Sequence, residues 1–454
     1  MQVFLGKKPV DLWFVAELGI LTICLIMGLR VPVLNLAALA LCAWITIFER
    51  PVDHIFDLLF YLLPLSPIFK IGLNGFALFN IVTLILLARL LLANDFAFEI
   101  PSVSILLMII YVLSGLKNAG IPDCIRFICQ LLIGAIVMTN PAFRNSLSIK
   151  RKNTMLASGI LVSSLIASMR DFFPQLRAYY ERFGSTIRLG PGNHYARFMG
   201  LEINPNMYTV LTSISLAVFL VYLVNGRLKK SDFVLMVGIG IYGALTVSMS
   251  FIVSVIGIVA IIFVPLSRRN PRLTMWAVVV GILGGIVFLV LFGESDMFQT
   301  ILFRFQEGSS GSADLSSMTT GRSDIWMEYL EYFWEHPLVM LFGRGLNADL
   351  PFHAPHNYFI ETVYYLGIVG GFLYTVVYAT IYAPSKYIGR RCEFYQHIPL
   401  LMLLIRGMAR CLICEEKMMF IFLIYALTAI DTTDQRPTNS SDLQRNIARG
   451  GMLA

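Results

Sequence analysis

Charge is what this chain has little of. Charged side chains make up 14% of its 454 residues against a hydrophobic share of 57%, and mean hydropathy is +0.73. Soluble domains carry about 25% charged residues, so this shortage excludes an ordinary globular protein and implies a polytopic membrane protein. A small-x-small cleavage site is also missing after the first apolar run, residues 11–29, which follows Lys7 and Lys8. That run is too long for a signal-peptide core and reads as a retained first span. Cysteine is sparse and scattered: four of the seven, Cys24, Cys42, Cys124 and Cys129, sit inside apolar runs as small hydrophobes. Cys411 and Cys414 form a close pair with no second pair beside it, so neither a disulfide framework nor a redox site is expected. A Walker A string is absent, which leaves direct use of ATP or a nucleotide sugar without a visible binding element. No internal repeat or inverted pair of broken helices appears, which argues against a secondary transporter. An Asp-x-Asp is lacking too; the nearest string, Glu294-Ser295-Asp296, reads as an interfacial loop, so no metal and no cofactor is expected.

What is there is a succession of apolar windows. They run roughly over 11–29, 31–48, 53–73, 76–94, 101–117, 122–140, 154–170, 207–225, 232–248, 250–266, 274–293, 357–384, 395–410 and 417–430. Pro64 and Pro67 interrupt the third and the last is short, so the expected count is about 12–14 transmembrane helices. Basic clusters fall on alternate loops: Arg144/Lys150/Arg151/Lys152, Arg227/Lys229/Lys230, Arg268/Arg269/Arg272 and Lys386/Arg390/Arg391. The positive-inside rule puts all four, and with them both termini, in the cytoplasm. The polar tail 431–454 then reads as a disordered cytoplasmic extension of a single transmembrane domain, 1–430. Two long polar insertions, 171–206 and 294–356, share the extracytoplasmic side. The net charge of +7 is accounted for by the cytoplasmic loops.

Chemistry-bearing residues gather in those two insertions. The first carries Arg177, Arg182, Arg188 and Arg197 interleaved with Tyr179, Tyr180, His194 and Tyr195, a mixture suited to phosphate and sugar recognition, with Arg177 and Arg182 read as solvated. The second opens on a Gly/Ser-rich stretch, 307–318, expected to be a mobile lid or linker. An amphipathic aromatic helix follows, with Thr319, Thr320 or Ser323 as caps and Pro337 as its stop. Arg322 at its start is disfavoured by the helix dipole unless an anion joins it. His356 precedes Asn357 at the external start of the window 357–384, placed to accept a proton from a hydroxyl, with Glu361 one turn on as reserve base. Arg126 and Lys70 lie toward external span ends, where an ionisable side chain is either functional or snorkelling.

Three patches, roughly 188–209, 241–258 and 319–371, resemble the O-antigen ligase/polymerase superfamily. The third carries Gly321-Arg322, Ile325-Trp326, Pro337, Gly343-Arg344-Gly345, and His356-Asn357 nine residues ahead of Gly367-x-x-Gly370. The first carries Arg197-Phe198-Met199-Gly200 and Asn204-Pro205-Asn206. The resemblance implies a fold similar to the GT-C glycosyltransferases and transfer of a glycan from undecaprenyl diphosphate on the extracytoplasmic face. His356 would activate the acceptor, with Arg322 and Arg197 at the diphosphate. Arg188, Asn204, Asn206, Arg344, Asn357, Glu361, Arg126 and Lys70 are the candidate substrate contacts. One position departs from the family pattern: after Leu245-Thr246 the expected arginine is Met249, and Arg188, Arg304, Arg344, Arg126 or Lys70 are the candidates to replace it.

The preferred reading is a bacterial inner-membrane polymerase of lipid-linked repeat units for O-antigen, capsule or exopolysaccharide. Its partners would be the undecaprenyl-diphosphate-linked glycan, a polysaccharide acceptor, the bilayer, and a flippase and chain-length regulator of the same pathway. Ligation of the finished glycan to lipid A core or another acceptor is the nearest alternative. A transporter of lipid-linked sugars predicts charges at several depths of the bundle, and a scaffold predicts indifference to His356.

Overall fold

A computed structural model describes residues 12–48, 51–68, 78–93, 101–118, 121–140, 147–184, 186–190, 193–269, 322–346, 348–382 and 397–407, with a few isolated positions between them. Among the described residues up to Leu245 the helices are α1 (Leu12–Gly28), α2 (Val33–Ile47), α3 (Val52–Leu62), α4 (Leu78–Ala93), α5 (Ser102–Lys117), α6 (Ile121–Thr139), α7 (Ile149–Ser168), α8 (Pro174–Phe183), α9 (Pro205–Val224) and α10 (Lys230–Leu245). Beyond Leu245 come α11 (Met249–Arg269), α12 (Arg322–Glu335), α13 (Pro337–Phe342), α14 (Tyr358–Tyr382) and α15 (Ile398–Gly407). One antiparallel hairpin, β1 (Thr186–Gly190) with β2 (Asn193–Ala196), lies between α8 and α9.

The chain is an all-α polytopic membrane protein. Among the described residues, Pro205–Val224, Met249–Arg268 and Tyr358–Ile381 are long and apolar enough to cross a membrane alone. Shorter apolar helices accompany them over 12–28, 33–47, 80–93, 102–116, 124–139 and 398–407. Leu36, Leu113, Val234, Ile256 and Phe372 point outward and are exposed, a surface that only lipid covers without aggregation. The window 53–73 ends its helix at Leu62, followed by a tight turn through Pro64; two prolines in four residues remove the donors a continuing helix needs. Lys70, Arg304, the lid 307–318, Thr319, Thr320 and the tail 431–454 lie outside the described residues.

α9 is the hub. It is buried along nearly its whole length and packs against α7, α10, α11 and α15. Asn204 caps it, its Oδ1 accepting from the Asn206 N–H at 2.8 Å, and Pro205 at the first helical position needs no acceptor. At the opposite end of the bundle Lys150 Nζ reaches Arg227 O and pairs with Asp232 at 2.9 Å, so two of the four basic clusters share one end. Beside it Lys152, fully buried, donates to Asp57 at 2.6 Å and to Asp53, while Arg151 pairs with Asp57 at 2.5 Å. These cations clamp α7 to α3 and α10. The string Gly238-Ile239-Gly240-Ile241-Tyr242-Gly243 lies inside α10 and follows no strand, so it is not a phosphate-binding turn.

Candidate functional site

The first insertion is folded rather than an open loop. Arg30 of the α1–α2 turn donates to Phe172 O at 2.9 Å and lies over the Phe173 ring. Tyr179 and Tyr180 are buried and their hydroxyls donate to Leu201 O (3.1 Å) and Gly200 O. Burial pushes both phenols up, so they stay protonated donors. This corrects the expectation that they recognise sugar: they hold the segment 199–202 that leads into α9. Arg177 is exposed and faces Asp171 at 3.7 Å, and Arg182 is exposed, as read from the sequence. Arg188 lies on β1 opposite His194.

Arg197 leaves the hairpin and turns inward. It is 9% exposed, and its Nε donates to Thr246 O at 2.9 Å. Thr246, Val247 and Ser248 are the break between α10 and α11, where Val247 takes a φ of 47°. A β-branched residue in that region is strained, and such strain persists only where surroundings impose it. Here they do: Thr246 Oγ1 returns to Gly243 O at 2.7 Å, and Ser248 Oγ donates to Asn206 Oδ1 at 3.1 Å and meets Ser250 Oγ at 3.1 Å. Asn206 therefore ties α9 to the break, while Asn204 is a helix cap.

A cation that the sequence reading passed over completes this cluster. Arg406, in the last turn of α15, is 1% exposed. One terminal nitrogen donates to Ser250 Oγ at 2.5 Å; the other donates to Asn206 O at 2.8 Å and to Thr209 Oγ1. The guanidinium thus lies one residue from Met249. Arg344, one of the named substitutes, is elsewhere, and Arg126 is half-buried on α6. The signal was legible, an arginine inside the apolar window 395–410, where an ionisable side chain is a functional candidate by default.

The second insertion builds the other half. α12 starts at Arg322, which puts Ser323 inside the helix and not at its cap. The face Tyr329–Phe333 packs on Tyr364 of α14 and leaves Trp334 and Leu330 exposed, as an amphipathic helix at a membrane surface requires. One turn after Arg322, Trp326 Nε1 donates to Pro355 O at 2.8 Å. That bond fixes the segment carrying His356, an exposed residue with a φ of 48°. Asn357 is 6% exposed and caps α14, its Oδ1 accepting from the N–H groups of Phe359 (2.9 Å) and Ile360 (3.4 Å). Its Oδ1 is thereby committed to capping the helix. Glu361, 5% exposed, follows in the first turn. Arg322 is half-buried, which lowers its affinity for the proton but leaves it cationic at neutral pH.

Gly343-Arg344-Gly345 has a structural purpose. α14 is kinked at Gly367, whose φ is 72° and ψ 175°. The kink frees the carbonyls of Tyr364 and Tyr365, and the N–H groups of Arg344 and Gly345 donate to them at 2.7 and 2.9 Å. Within a membrane helix, carbonyls left without donors would cost several kcal/mol each. The Arg344 guanidinium is exposed and grips Tyr332 Oη at 2.7 and 3.1 Å.

Residues 233–375 match the family model of the O-antigen ligases. This matched segment, less than half of the chain, supports a likeness to the O-antigen ligase/polymerase superfamily. The matched segment contains the α10–α11 break, Arg322, His356 and the kink at Gly367; Arg197, Asn206 and Arg406 lie outside it. The match points to function of the O-antigen ligase/polymerase type, glycosyltransferase-like and set in a membrane context with lipid-linked glycan. No curated protein and no solved structure matches the chain.

Proposed function

We propose that the chain polymerises lipid-linked repeat units. The acceptor hydroxyl of one unit attacks the anomeric carbon of a chain held on undecaprenyl diphosphate, with inversion. His356 takes the hydroxyl proton as the new glycosidic bond forms; the bond from the anomeric carbon to the diphosphate breaks, and the charge left on the diphosphate is held by Arg322 and Arg197. Arginine forks match phosphate oxygens, so this scheme calls on no metal ion. Arg188 and Arg126 are the remaining candidate substrate contacts, and Glu361 the reserve base.

The observation that carries the reading is the bond from Trp326 to Pro355. It fastens the helix that begins with Arg322 to the residue before His356, so a cation and a base are presented together from the same insertion. The strained backbone at His356 supports it, because strain of this kind concentrates at functional sites. A single transmembrane domain, 1–430, with insertions at 171–206 and 294–356 on the extracytoplasmic face of the bacterial inner membrane and both termini in the cytoplasm, fits the charge pattern. The contacts of Arg30 with Phe172 and of Arg406 with Asn206 and Ser250 all join ends that the positive-inside rule places outside.

The test is the ladder of surface and lipid-linked glycan in cells carrying wild type, His356→Ala or Arg322→Ala at equal membrane levels. Single repeat units accumulating without long chains support polymerisation. Full-length lipid-linked chains that never reach their acceptor would make the protein a ligase, and an unchanged ladder in both variants would reject the site.

A further inference from the structure

We propose that Arg406 is a positioning residue for glycan transfer, locking the α10–α11 break whose Thr246 carbonyl fixes Arg197; this rests on the polymerase or ligase reading above. Arg406 is buried, so its own guanidinium is not a surface for substrate. Its terminal nitrogens donate to the N-terminal turns of α9 and α11, at Ser250 Oγ, Asn206 O and Thr209 Oγ1. From Ser250 the connection continues through Ser248 Oγ, and the Ser248 N–H donates to Thr246 Oγ1 at 3.3 Å. The carbonyl of that same Thr246 receives Arg197 Nε. Two arginines more than 200 residues apart in sequence are therefore linked to one strained turn, Arg197 directly at Thr246 O and Arg406 by way of Ser250 and Ser248.

Three features argue that this is more than packing. A buried guanidinium beside the N-terminal turns of two helices opposes both helix dipoles, a local conflict of the kind that proteins keep where function requires it. The planar fork bridges α9 to α11 in a way that an apolar side chain cannot. The turn it secures lies inside the family-matched segment, whereas Arg406 itself is supplied from outside it. Met249 has no charge to offer at this turn, and Arg406 occupies the adjoining position through Ser250.

The experiment measures transfer from lipid-linked donor in membranes holding equal amounts of full-length Arg406→Met, Arg406→Lys, Arg406→Met with Met249→Arg, and His356→Ala. Arg406→Met is expected to lower kcat at least tenfold with the donor KM within threefold of wild type, because the residue acts through Arg197 and not on the substrate. Arg406→Lys keeps the charge but not the fork, so its kcat is expected to be threefold to tenfold below wild type, again at unchanged KM. Restoring a guanidinium at position 249 is expected to raise the Arg406→Met rate at least threefold. Should Arg406→Met fail to elute as a single detergent-solubilised species, the lysine variant decides on the same criterion. A kcat within twofold of wild type, a defect confined to KM, or a folded double variant with no recovery overturns the proposal. An inactive His356→Ala beside a fully active Arg406→Met rejects the role of Arg406 alone, whereas an active His356→Ala rejects the underlying reading.

Discussion

Replacing Gly367 by alanine tests how the base-bearing helix is held. The residue sits at φ 72° and ψ 175°, a region that essentially only glycine enters, and forcing another residue there costs about 1–3 kcal/mol. An added Cβ would also lie 2.2 Å from Leu341 O and 2.4 Å from Phe342 N. Those are backbone atoms of the α13 turn, which cannot swing aside as a side-chain tip would. Gly343 faces the same junction from the other side, with Tyr365 O 2.4 Å from where its own Cβ would be. Separating the two segments endangers the bonds from Arg344 and Gly345 to Tyr364 O and Tyr365 O, each worth about 0.5–1.5 kcal/mol net. The sum is about 2–6 kcal/mol of lost stability. The assay is the fraction of detergent-purified protein still eluting as a single species after heating, which suits unfolding that does not reverse. Gly367→Ala should lower the half-loss temperature by roughly 5 °C or more. Gly240→Ala and Gly257→Ala are the controls: an added Cβ meets nothing within 4 Å at either position, and alanine within a helix gains about 0.5–1 kcal/mol. A Gly367→Ala protein as heat-resistant as these controls would refute the argument that backbone contact at the kink organises α14.

Other perturbations separate chemistry from architecture. His356→Ala should lower glycan transfer by about 10²–10⁴-fold, the usual contribution of a positioned base, while donor retention on membranes is unchanged; equal rates would remove the histidine from the mechanism. Asn357→Ala deletes a cap and should cost about 0.5–2 kcal/mol of heat resistance, and a rise in donor KM without any thermal change would restore it to the substrate contacts. Trp326→Phe keeps an aromatic ring, though a smaller one, and loses the bond to Pro355 O, so transfer should fall by more than thermal resistance does. Lys152→Met removes the Lys152–Asp57 pair and keeps that of Arg151 with Asp57, and breaking a buried pair costs about 3–5 kcal/mol. Lys152→Met with Asp57→Leu should recover much of that loss, and a double variant worse than the single would contradict the clamp.

The sequence by itself determined the solvent of this protein, its helical class and the family signature, because apolar runs and charge placement are local properties that a bilayer reads directly. It also pointed to Arg322, which stands against a helix dipole, and to His356, which the family resemblance singles out at the entrance of an apolar window. Tertiary structure decided what the remaining residues do. Asn204 and Asn357 look like polar contacts in a motif, and only the bonds to Asn206 N–H and to Phe359 and Ile360 N–H show them to be caps. Tyr179 and Tyr180 alternate with arginines in the sequence, yet the chain turns them inward onto carbonyls. Gly345 of the Gly343-x-Gly345 pair and Gly367 are 22 residues apart, and their meaning appears only when backbone meets backbone at the α14 kink. Arg406 is the clearest case. Its partners on α9 and α11 are brought to it by helix packing across almost half the chain.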